Sequence, residues 1–123
     1  MKLDKKSFNQ QVLNLENQKE KSLRYNDGKL KWSLVHFKSL EPMVRVLMHG
    51  VNKYTHIDEK GNVISGADNW KKGLNKKEIL ESAMRHLTAL MDDEQIDFES
   101  NLEHVGHLMC NCMFYQYHSK NGN

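Results

Sequence analysis

The sequence lacks both a long apolar segment and a strong excess of charge of one sign. No run approaches the roughly 18 apolar residues that a membrane helix requires, and the start, MKLDKKSFNQ, has no apolar core of a secretory signal. The 18 Lys and Arg residues against 16 Asp and Glu residues leave a net charge of +2, which excludes a general nucleic-acid binder that neutralises many phosphates. We therefore expect a cytoplasmic protein with no membrane partner and no stable nucleic-acid complex. This net charge does not exclude a local pocket that binds an anion.

Cysteine is also scarce. The two cysteines, Cys110 and Cys112, stand two positions apart on a predicted helix, where they point in different directions and do not readily form a disulfide. Because no second cysteine pair is present to complete a zinc site, a structural zinc is not expected. We interpret both cysteines as reduced thiols rather than metal ligands.

Helical spacing of apolar residues dominates what is present. Between residues 39 and 54 the apolar residues share one predicted helix face: Leu40, Met43, Val44, Leu47 and Val51. Ser39 is the expected N-cap of this helix. Two further helices are predicted from capping boxes, in which a capping residue is followed three positions later by Glu. Asn75 begins a helix to about Met91, and Ser100 begins one to about His118.

The remaining segments predict shorter features. A thin apolar stripe in residues 1–23 predicts a marginal helix that needs a docking surface. The segment THIDEKGNVIS has two β-prone runs around a Lys-Gly-Asn turn and predicts a small hairpin between helices, whereas the acidic DDEQIDFES is typical of a loop. We therefore predict an all-α fold, a small helical bundle with an N-terminal helical arm (1–23), a helical domain (24–118) that contains a short β-hairpin insertion, and a disordered tail (119–123).

Histidines lie on or beside the apolar faces of two of these helices. His86 is on the inner face of the helix over 76–91. On the last helix a polar row, His104, His107 and Asn111, runs beside an apolar stripe of Leu102, Val105, Met109 and Cys112. Facing rows of this kind hold metal ions in helical bundles. A single histidine near a core is more often a hydrogen-bonded structural residue, so both interpretations stay open.

Carboxylates occur near these histidines along the chain: Glu78, Glu81, Asp97 and Glu99. Carboxylate oxygens combined with imidazoles suit Mg²⁺, Mn²⁺ or a similar divalent ion better than a structural zinc. Paired carboxylates on a helix are, however, usually a solvated face. The carboxylates therefore indicate a divalent metal only in combination with the histidines.

A second group of residues is basic and aromatic: Arg24, Lys29, Lys53, Tyr54, Trp70 and Arg85. Arg and Lys side chains are the natural partners of phosphate, and an aromatic face can stack on a base. Each of these residues taken singly is more typical of a surface or a core, and tryptophans are first of all apolar anchors. The order in which these residues occur along the chain is more informative than any one of them.

That order carries a family resemblance. The succession RYNDGKLKW, VLMHGVNKY, NW, AMRHL and DFESNLEHVGHLMCN resembles the phage-type dATP/dGTP diphosphohydrolase family. Members of that family resemble all-α nucleotide pyrophosphohydrolases of the MazG kind. The similarity covers about Arg24 to Tyr117, which is most of the chain.

The sequence also departs from the MazG pattern. That pattern pairs two carboxylates three apart on one helix with an acidic pair three apart on a later helix, and the two pairs together hold divalent metal. Glu78 and Glu81 match the first pair, but His104 and His107 stand in place of the second. Residues 55–68 look like an insertion, and the N-terminal arm looks like an addition.

The resemblance implies metal-dependent hydrolysis of a purine deoxynucleoside triphosphate to the monophosphate and pyrophosphate. It implies Mg²⁺ or Mn²⁺ bound by Glu81, Asp97, His104 and His107. It implies substrate contacts from Arg24, Lys29, Lys53, Tyr54, Asn69, Trp70, Arg85 and Asn111, and an acid/base role for His86. Because small helical enzymes of this type commonly build sites between subunits, we expect a homo-oligomer, in the host cytoplasm for a phage protein. The imidazole replacement and the insertion favour an alternative, a non-catalytic phage protein that sequesters a host immune signal such as a cyclic dinucleotide or an ADP-ribose derivative, whereas the four carboxylates favour the enzyme. A third alternative is a structural or regulatory helical protein whose histidines are only packed.

Overall fold

The computed structural model describes residues 9–12, 23–25 and 27–121. The chain divides into two compact units, Met1–Leu34 and Val35–Asn123. Within the described ranges, no helix is long and apolar enough to cross a membrane.

The first unit contains two short pieces of described secondary structure. Residues 9–12 are helical, in the segment where a helical arm is predicted. Most of that predicted arm lies outside the described residues, so the arm stays a prediction. Further along, a turn forms at Asp27 and Gly28, where Gly28 adopts a φ of +76° that glycine reaches without steric cost. A 3-10 helix follows at Trp32–Leu34.

The second unit is built from three α-helices: α1 (Glu41–Tyr54), α2 (Lys76–Met91) and α3 (His104–Lys120). A short 3-10 helix at Phe37–Leu40 precedes α1, and another at Asn69–Lys71 precedes α2. Helix α3 packs against both α1 and α2. This arrangement confirms the predicted small, mostly helical fold. Helix α3 also includes two residues of the predicted tail, because it ends at Lys120.

Helix α3 is buried on more than one side, and this determines which of its residues are covered. At Gly106 the helix comes so close to α1 that a Cβ would overlap the carbonyl group of Pro42. One turn later Cys110 is 1% exposed, and its Sγ donates to the Met43 carbonyl oxygen at 3.4 Å. Burial raises the pKa of the Cys110 thiol to about 12. The predicted apolar stripe is wrong at Cys112, which is exposed, because the sides of α3 that its two neighbouring helices cover include Cys110 and Asn111 but not Cys112.

The start of α2 follows the local sequence. The Asn75 side chain accepts a hydrogen bond from the backbone N–H of Lys77 at 2.8 Å, and the helix ends at Met91 as predicted. An N-cap of this kind satisfies one of the free N–H groups of the first turn. The cap and the helix that it begins are therefore confirmed.

The caps predicted for the other two helices are wrong. Leu40 occupies the N-cap of α1, while the Ser39 hydroxyl is hydrogen-bonded to Nδ1 of His36 at 2.6 Å. Helix α3 begins at His104 rather than directly after Ser100. In both places the serine belongs to a different local structure, so its hydroxyl is not available to the first turn of the helix.

The predicted hairpin forms between α1 and α2. Strand β1 (His56–Ile57) pairs antiparallel with β2 (Val63–Ile64). One carboxylate oxygen of Asp58 accepts from the backbone N–H groups of Lys60 and Asn62, both at 2.9 Å, and this closes the turn. The turn therefore depends mainly on local hydrogen bonds, which the sequence alone contains.

A second pair of strands lies where a loop and the start of the last helix are predicted. Strand β3 (Ile96–Asp97) pairs antiparallel with β4 (Leu102–Glu103), immediately before α3. Asn101 takes a φ of +60° in the connection, and its N–H donates to the Asp97 carbonyl oxygen at 2.7 Å. The loop prediction is wrong at β3, and the predicted first helical turn is wrong at β4, because the two segments pair with each other. The hairpin places the carboxylate of Asp97 beside the first turns of α3.

Candidate functional site

A cleft of about 680 Å³ lies within the second unit and is lined by all three helices, by the segment between the first hairpin and α2, and by the second hairpin. Its volume falls in the range of about 300–1,000 Å³ that is typical of small-molecule sites. Nine of the residues predicted from the sequence line it: Lys53, Tyr54, Asn69, Trp70, Arg85, His86, Asp97, His104 and His107. The tertiary structure therefore brings predicted basic, aromatic and imidazole side chains to one cleft.

Two predicted site residues of the second unit do not line this cleft. Glu81 is exposed on α2. Asn111 is buried, and its side-chain amide donates to Oγ of Ser82 at 3.2 Å, so it supports a serine that does line the cleft. Arg24 and Lys29 belong to the first unit, where both are exposed.

The cleft also contains residues that the sequence analysis missed. His49 lines it from α1, one turn before Lys53, and the shared helical face of these two residues is the signal that could have identified it. Ser82 lies on the cleft side of α2. Ser100 was assigned to a helix cap, which hid its role in the cleft.

Three imidazoles form the centre of the cleft, and we call His86, His104 and His107 the histidine cluster. Nδ1 of His86 lies 2.8 Å from Nδ1 of His104, so the two rings share a hydrogen bond. The rings of His86 and His107 are stacked, with centroids 4.5 Å apart and planes 5° apart. His104 is 5% exposed. Helices α2 and α3 thus hold these side chains in defined orientations.

Glu94 extends the histidine cluster on the side of His104. Its Oε2 lies 2.8 Å from Nε2 of His104. Together with the contact to His86, this hydrogen bond occupies both ring nitrogens of His104. A metal ion needs a ring nitrogen with a free lone pair, so the geometry of His104 is that of a hydrogen-bonding residue.

Asp97, Ser100 and His107 form a second hydrogen-bonded group. The Ser100 hydroxyl donates to Oδ2 of Asp97 at 2.8 Å, and Nε2 of His107 lies 2.7 Å from the same hydroxyl. Because the hydroxyl hydrogen points to the carboxylate, Nε2 of His107 must be the donor to Oγ. This is the reverse of an activated serine, in which the imidazole takes the hydroxyl proton, so Ser100 orients His107 rather than acting as a nucleophile.

The electrostatics keep two of these imidazoles neutral and the carboxylate charged. Burial, followed by the neighbouring His107 and His104, lowers the pKa of His86. Burial also lowers the pKa of His107, against the attraction of Asp97. For Asp97, burial alone favours the neutral acid, but hydrogen bonds from the Ser100 side chain and the Glu99 backbone outweigh it and lower its pKa. Neutral imidazoles suit proton transfer at neutral pH.

The predicted metal ligands do not converge. Across residues 9–12, 23–25 and 27–121, no group of three or more His, Cys, Asp or Glu side chains is placed to hold one metal ion. Glu81 lies outside the cleft lining, and His104 uses both nitrogens within the protein. The four-ligand site therefore does not fit this geometry, while Mg²⁺ or Mn²⁺ as a cofactor stays a prediction.

Lys53 and Arg85 supply positive charge to the cleft without nearby carboxylates. In the part of the chain that the structure describes, no Asp or Glu oxygen lies within 4.0 Å of either cationic group. The Lys53 ammonium instead lies 5.4 Å from the ring centroid of Tyr54. Cations that are not neutralised by the protein attract phosphate.

The two aromatic residues predicted to bind a base differ in their surroundings. Trp70 is stacked on Phe114 with ring centroids 4.8 Å apart, and its backbone carbonyl is hydrogen-bonded to Nε2 of buried His118 at 2.8 Å. Trp70 is therefore part of the packed wall of the cleft. Tyr54 is 45% exposed and is the better placed of the two to stack on a ligand.

Comparisons with known proteins give a consistent result. The family model described as dATP/dGTP diphosphohydrolase, N-terminal, matches residues 19–123. A protein of Salmonella phage PMBT28 with the name dATP/dGTP diphosphohydrolase is 29% identical over 92 residues. That match covers 75% of this chain but 28% of the relative, so the chain spans little more than a quarter of the relative's length. No solved structure matches.

Proposed function

Since the chain belongs to the dATP/dGTP diphosphohydrolase N-terminal family, we propose that its cleft binds a purine deoxynucleoside triphosphate and hydrolyses it to the monophosphate and pyrophosphate. The activity in the name of the phage relative supports this choice of substrate. The relative is much longer than the match, so its activity is transferred here as a proposal.

The observation that carries the proposal is the pair of cations beside the histidine cluster. Lys53 and Arg85 line the same cleft as His86 and have no carboxylate partner within 4.0 Å among the described residues. A triphosphate needs cationic side chains along its phosphates and a group that accepts a proton from water near the bond that breaks. Both requirements are met within this one cleft.

The base of the nucleotide lies beside Tyr54 in this proposal. The partly exposed tyrosine ring offers a stacking surface, and stacking on an aromatic ring is worth about 1–3 kcal/mol per base. The side-chain amide of Asn69, which also lines the cleft, offers a donor and an acceptor to the edge of a purine.

The proposal includes Mg²⁺ or Mn²⁺ as a cofactor that binds together with the triphosphate. Mg²⁺ usually keeps several waters and is held by one or two carboxylates plus the substrate phosphates, so it does not require a set of four protein ligands. Asp97 and Glu99 are the carboxylates that line the cleft. Metal dependence is tested directly by comparing turnover with each ion and with a chelator.

The proposal also includes a homo-oligomer, with helix α2 as the contact. Four apolar residues at helical spacing on α2 are exposed: Leu80, Met84, Leu87 and Met91, at 46%, 61%, 47% and 77%. In contrast, the buried large apolar residues among those described are Ile79 and Cys110, at 5% and 1% exposed. A small chain with so little buried apolar surface gains stability by covering such a stripe with a second copy.

A nucleotide panel tests the proposed reaction. The protein is incubated with each of the four deoxynucleoside triphosphates and with Mg²⁺, Mn²⁺ or a chelator, and the products are separated by anion-exchange chromatography. Purine substrates should give equal amounts of monophosphate and pyrophosphate in a metal-dependent way, and Lys53→Ala should reduce the yield at low substrate concentration. Intact dATP and dGTP after long incubation with both ions would refute the hydrolase.

A binding protein without catalysis is the second candidate, and the dispersed metal ligands favour it. The described residues offer no cluster of three or more metal-binding side chains, but Lys53, Arg85 and Tyr54 would still hold a phosphorylated purine. The same panel, extended by a cyclic dinucleotide and an ADP-ribose derivative, distinguishes the two functions when the bound fraction is also denatured and analysed. Unmodified nucleotide, including a cyclic dinucleotide or an ADP-ribose derivative, recovered from the protein without product would support sequestration.

A further inference from the structure

Glu94, His104 and His86 form a linear series of hydrogen bonds that ends in the cleft. Oε2 of Glu94 lies 2.8 Å from Nε2 of His104, and Nδ1 of His104 lies 2.8 Å from Nδ1 of His86. Of the groups in described residues, none is hydrogen-bonded to Nε2 of His86. The series therefore has a carboxylate at one end and an unoccupied imidazole nitrogen at the other.

Each hydrogen bond in this series determines the next. A carboxylate accepts, so Nε2 of His104 carries the hydrogen. In a neutral imidazole the other nitrogen is then an acceptor, so the hydrogen between the two Nδ1 atoms belongs to His86. A neutral His86 that is protonated on Nδ1 keeps the lone pair of Nε2.

The stacked ring of His107 restricts the orientation of His86 from its other side. The two ring planes are 5° apart, and His107 itself is held by Ser100 at 2.7 Å. Tilting the His86 ring would break the stack, and a half-turn of the ring would break the bond to His104. The orientation of the free nitrogen is thus determined by groups on both neighbouring sides.

We propose that Glu94, acting through His104, holds His86 in the tautomer whose Nε2 takes a proton from the water that attacks the triphosphate. This inference rests on the proposed function, because the attacked group is the triphosphate in the cleft. His86 is the catalytic base, and Glu94 and His104 are positioning residues. Neither the sequence motifs nor the family comparison assigns a role to Glu94.

The proton transfer balances within these residues and the substrate. The water oxygen forms a bond to the α-phosphorus, while the bond from that phosphorus to the bridging oxygen breaks. Pyrophosphate leaves with that electron pair, and the water proton goes to Nε2 of His86. The Nδ1 hydrogen of His86 then passes to Nδ1 of His104. The resulting imidazolium lies against the Glu94 carboxylate, which stabilises its charge.

The tautomers are measurable without any substrate. Two-bond ¹⁵N–¹H correlation spectra of the full chain, recorded above the ordinary imidazole pKa of about 6.5, distinguish protonation on Nδ1 from protonation on Nε2. We expect His86 to be protonated on Nδ1 and His104 on Nε2, with assignments from His86→Gln and His104→Gln. A parent protein with His86 protonated on Nε2 overturns the proposal.

Kinetics of two Glu94 variants separate positioning from simple packing. Glu94→Gln keeps an oxygen that accepts from His104 but removes the negative charge, so the His86 tautomer and KM should stay as in the parent. The value of kcat should fall about tenfold, because charge-assisted hydrogen bonds are about twice as strong as neutral ones. Glu94→Ala should also mix the His104 tautomers and lower kcat further. His86→Gln should lower kcat by about 10²–10⁴-fold, the usual contribution of general base catalysis.

Asp92→Asn is the matched control, because it removes an exposed carboxylate two positions away that ends α2 rather than contacting the histidine cluster. It should leave kcat and both tautomers unchanged. A Glu94→Gln protein with the parent kcat overturns the relay and assigns Glu94 to packing. If the parent cleaves no nucleotide, the relay's catalytic role fails with the proposed function, while the tautomer spectra separately decide whether Glu94 orders the two imidazoles.

Discussion

Removal of the Arg85 guanidinium is the most direct test of how the cleft holds phosphate. Arg85 lines the cleft and, within the described parts of the chain, has no Asp or Glu oxygen within 4.0 Å. Arg85→Ala therefore removes a cation without leaving a protein carboxylate unpaired. The loss should appear in ligand binding rather than in folding.

The expected magnitude follows from the kind of bond that is lost. A hydrogen bond to a charged group contributes about 1.5–3 kcal/mol, which corresponds to an increase in Kd of about 10- to 150-fold. Because Arg85 is exposed, salt screens part of the interaction, so the lower end of the range applies at physiological ionic strength. The affinity of the parent should fall as salt is added, and that of Arg85→Ala should fall less steeply.

The assay is titration calorimetry with a non-hydrolysable purine deoxynucleoside triphosphate, which separates binding from turnover. Arg45→Ala is the matched control, since this exposed arginine on α1 pairs with Glu41 at 3.3 Å and lies outside the cleft lining. It should bind like the parent, and both variants should melt near the parent temperature. If Arg85→Ala binds within about twofold of the parent while remaining folded, the phosphate site in this cleft is refuted.

Three further predictions concern helix packing, the two thiols and assembly. Gly106→Ala should lower the free energy of unfolding by about 1–3 kcal/mol, because the added Cβ overlaps an α1 carbonyl. Gly50→Ala, where the added Cβ meets open space, should instead stabilise α1 by about 0.5–1 kcal/mol. Equal shifts of the two melting temperatures would contradict the close packing at Gly106. A maleimide should label exposed Cys112 and spare Cys110 in the folded protein. Because burial raises the pKa of the Cys110 thiol from 9.0 to about 12, the stability that the buried neutral thiol contributes should be complete below pH 9 and decline as the pH rises toward 12. Met84→Lys on the exposed face of α2 should convert the expected oligomer to monomer in light scattering, and a monomeric parent would refute that interface.

Features that depend on neighbouring residues were predictable from the sequence. Asn75 caps α2 through a bond to a backbone N–H two residues later, and Asp58 closes its hairpin through bonds to residues two and four positions later. Such contacts need little from the rest of the fold. The basic, aromatic and imidazole residues of the cleft were also identifiable as types, because phosphate, bases and protons each require particular side chains.

Two of the failed predictions involve residues whose local preference was overridden by contacts between secondary-structure elements. Ser100 precedes a Glu at the spacing of a capping box, but strand pairing between β3 and β4 places its hydroxyl on Asp97 and His107 instead. Cys112 has the spacing of an apolar stripe, yet the packing of α3 against two helices buries Cys110 and exposes Cys112.

By itself the sequence determined the helices, the first hairpin, the chemical character of the site and the family resemblance, because each depends on side-chain type and short-range spacing. Only the tertiary structure decided which of these side chains meet. His86 and His104 are 18 residues apart and share a hydrogen bond, while Glu81, which has the spacing of a metal ligand, lies outside the cleft. Whether an imidazole binds metal or relays a proton depends on the partners of its two nitrogens, and those partners are determined by how α2, α3 and their connection pack.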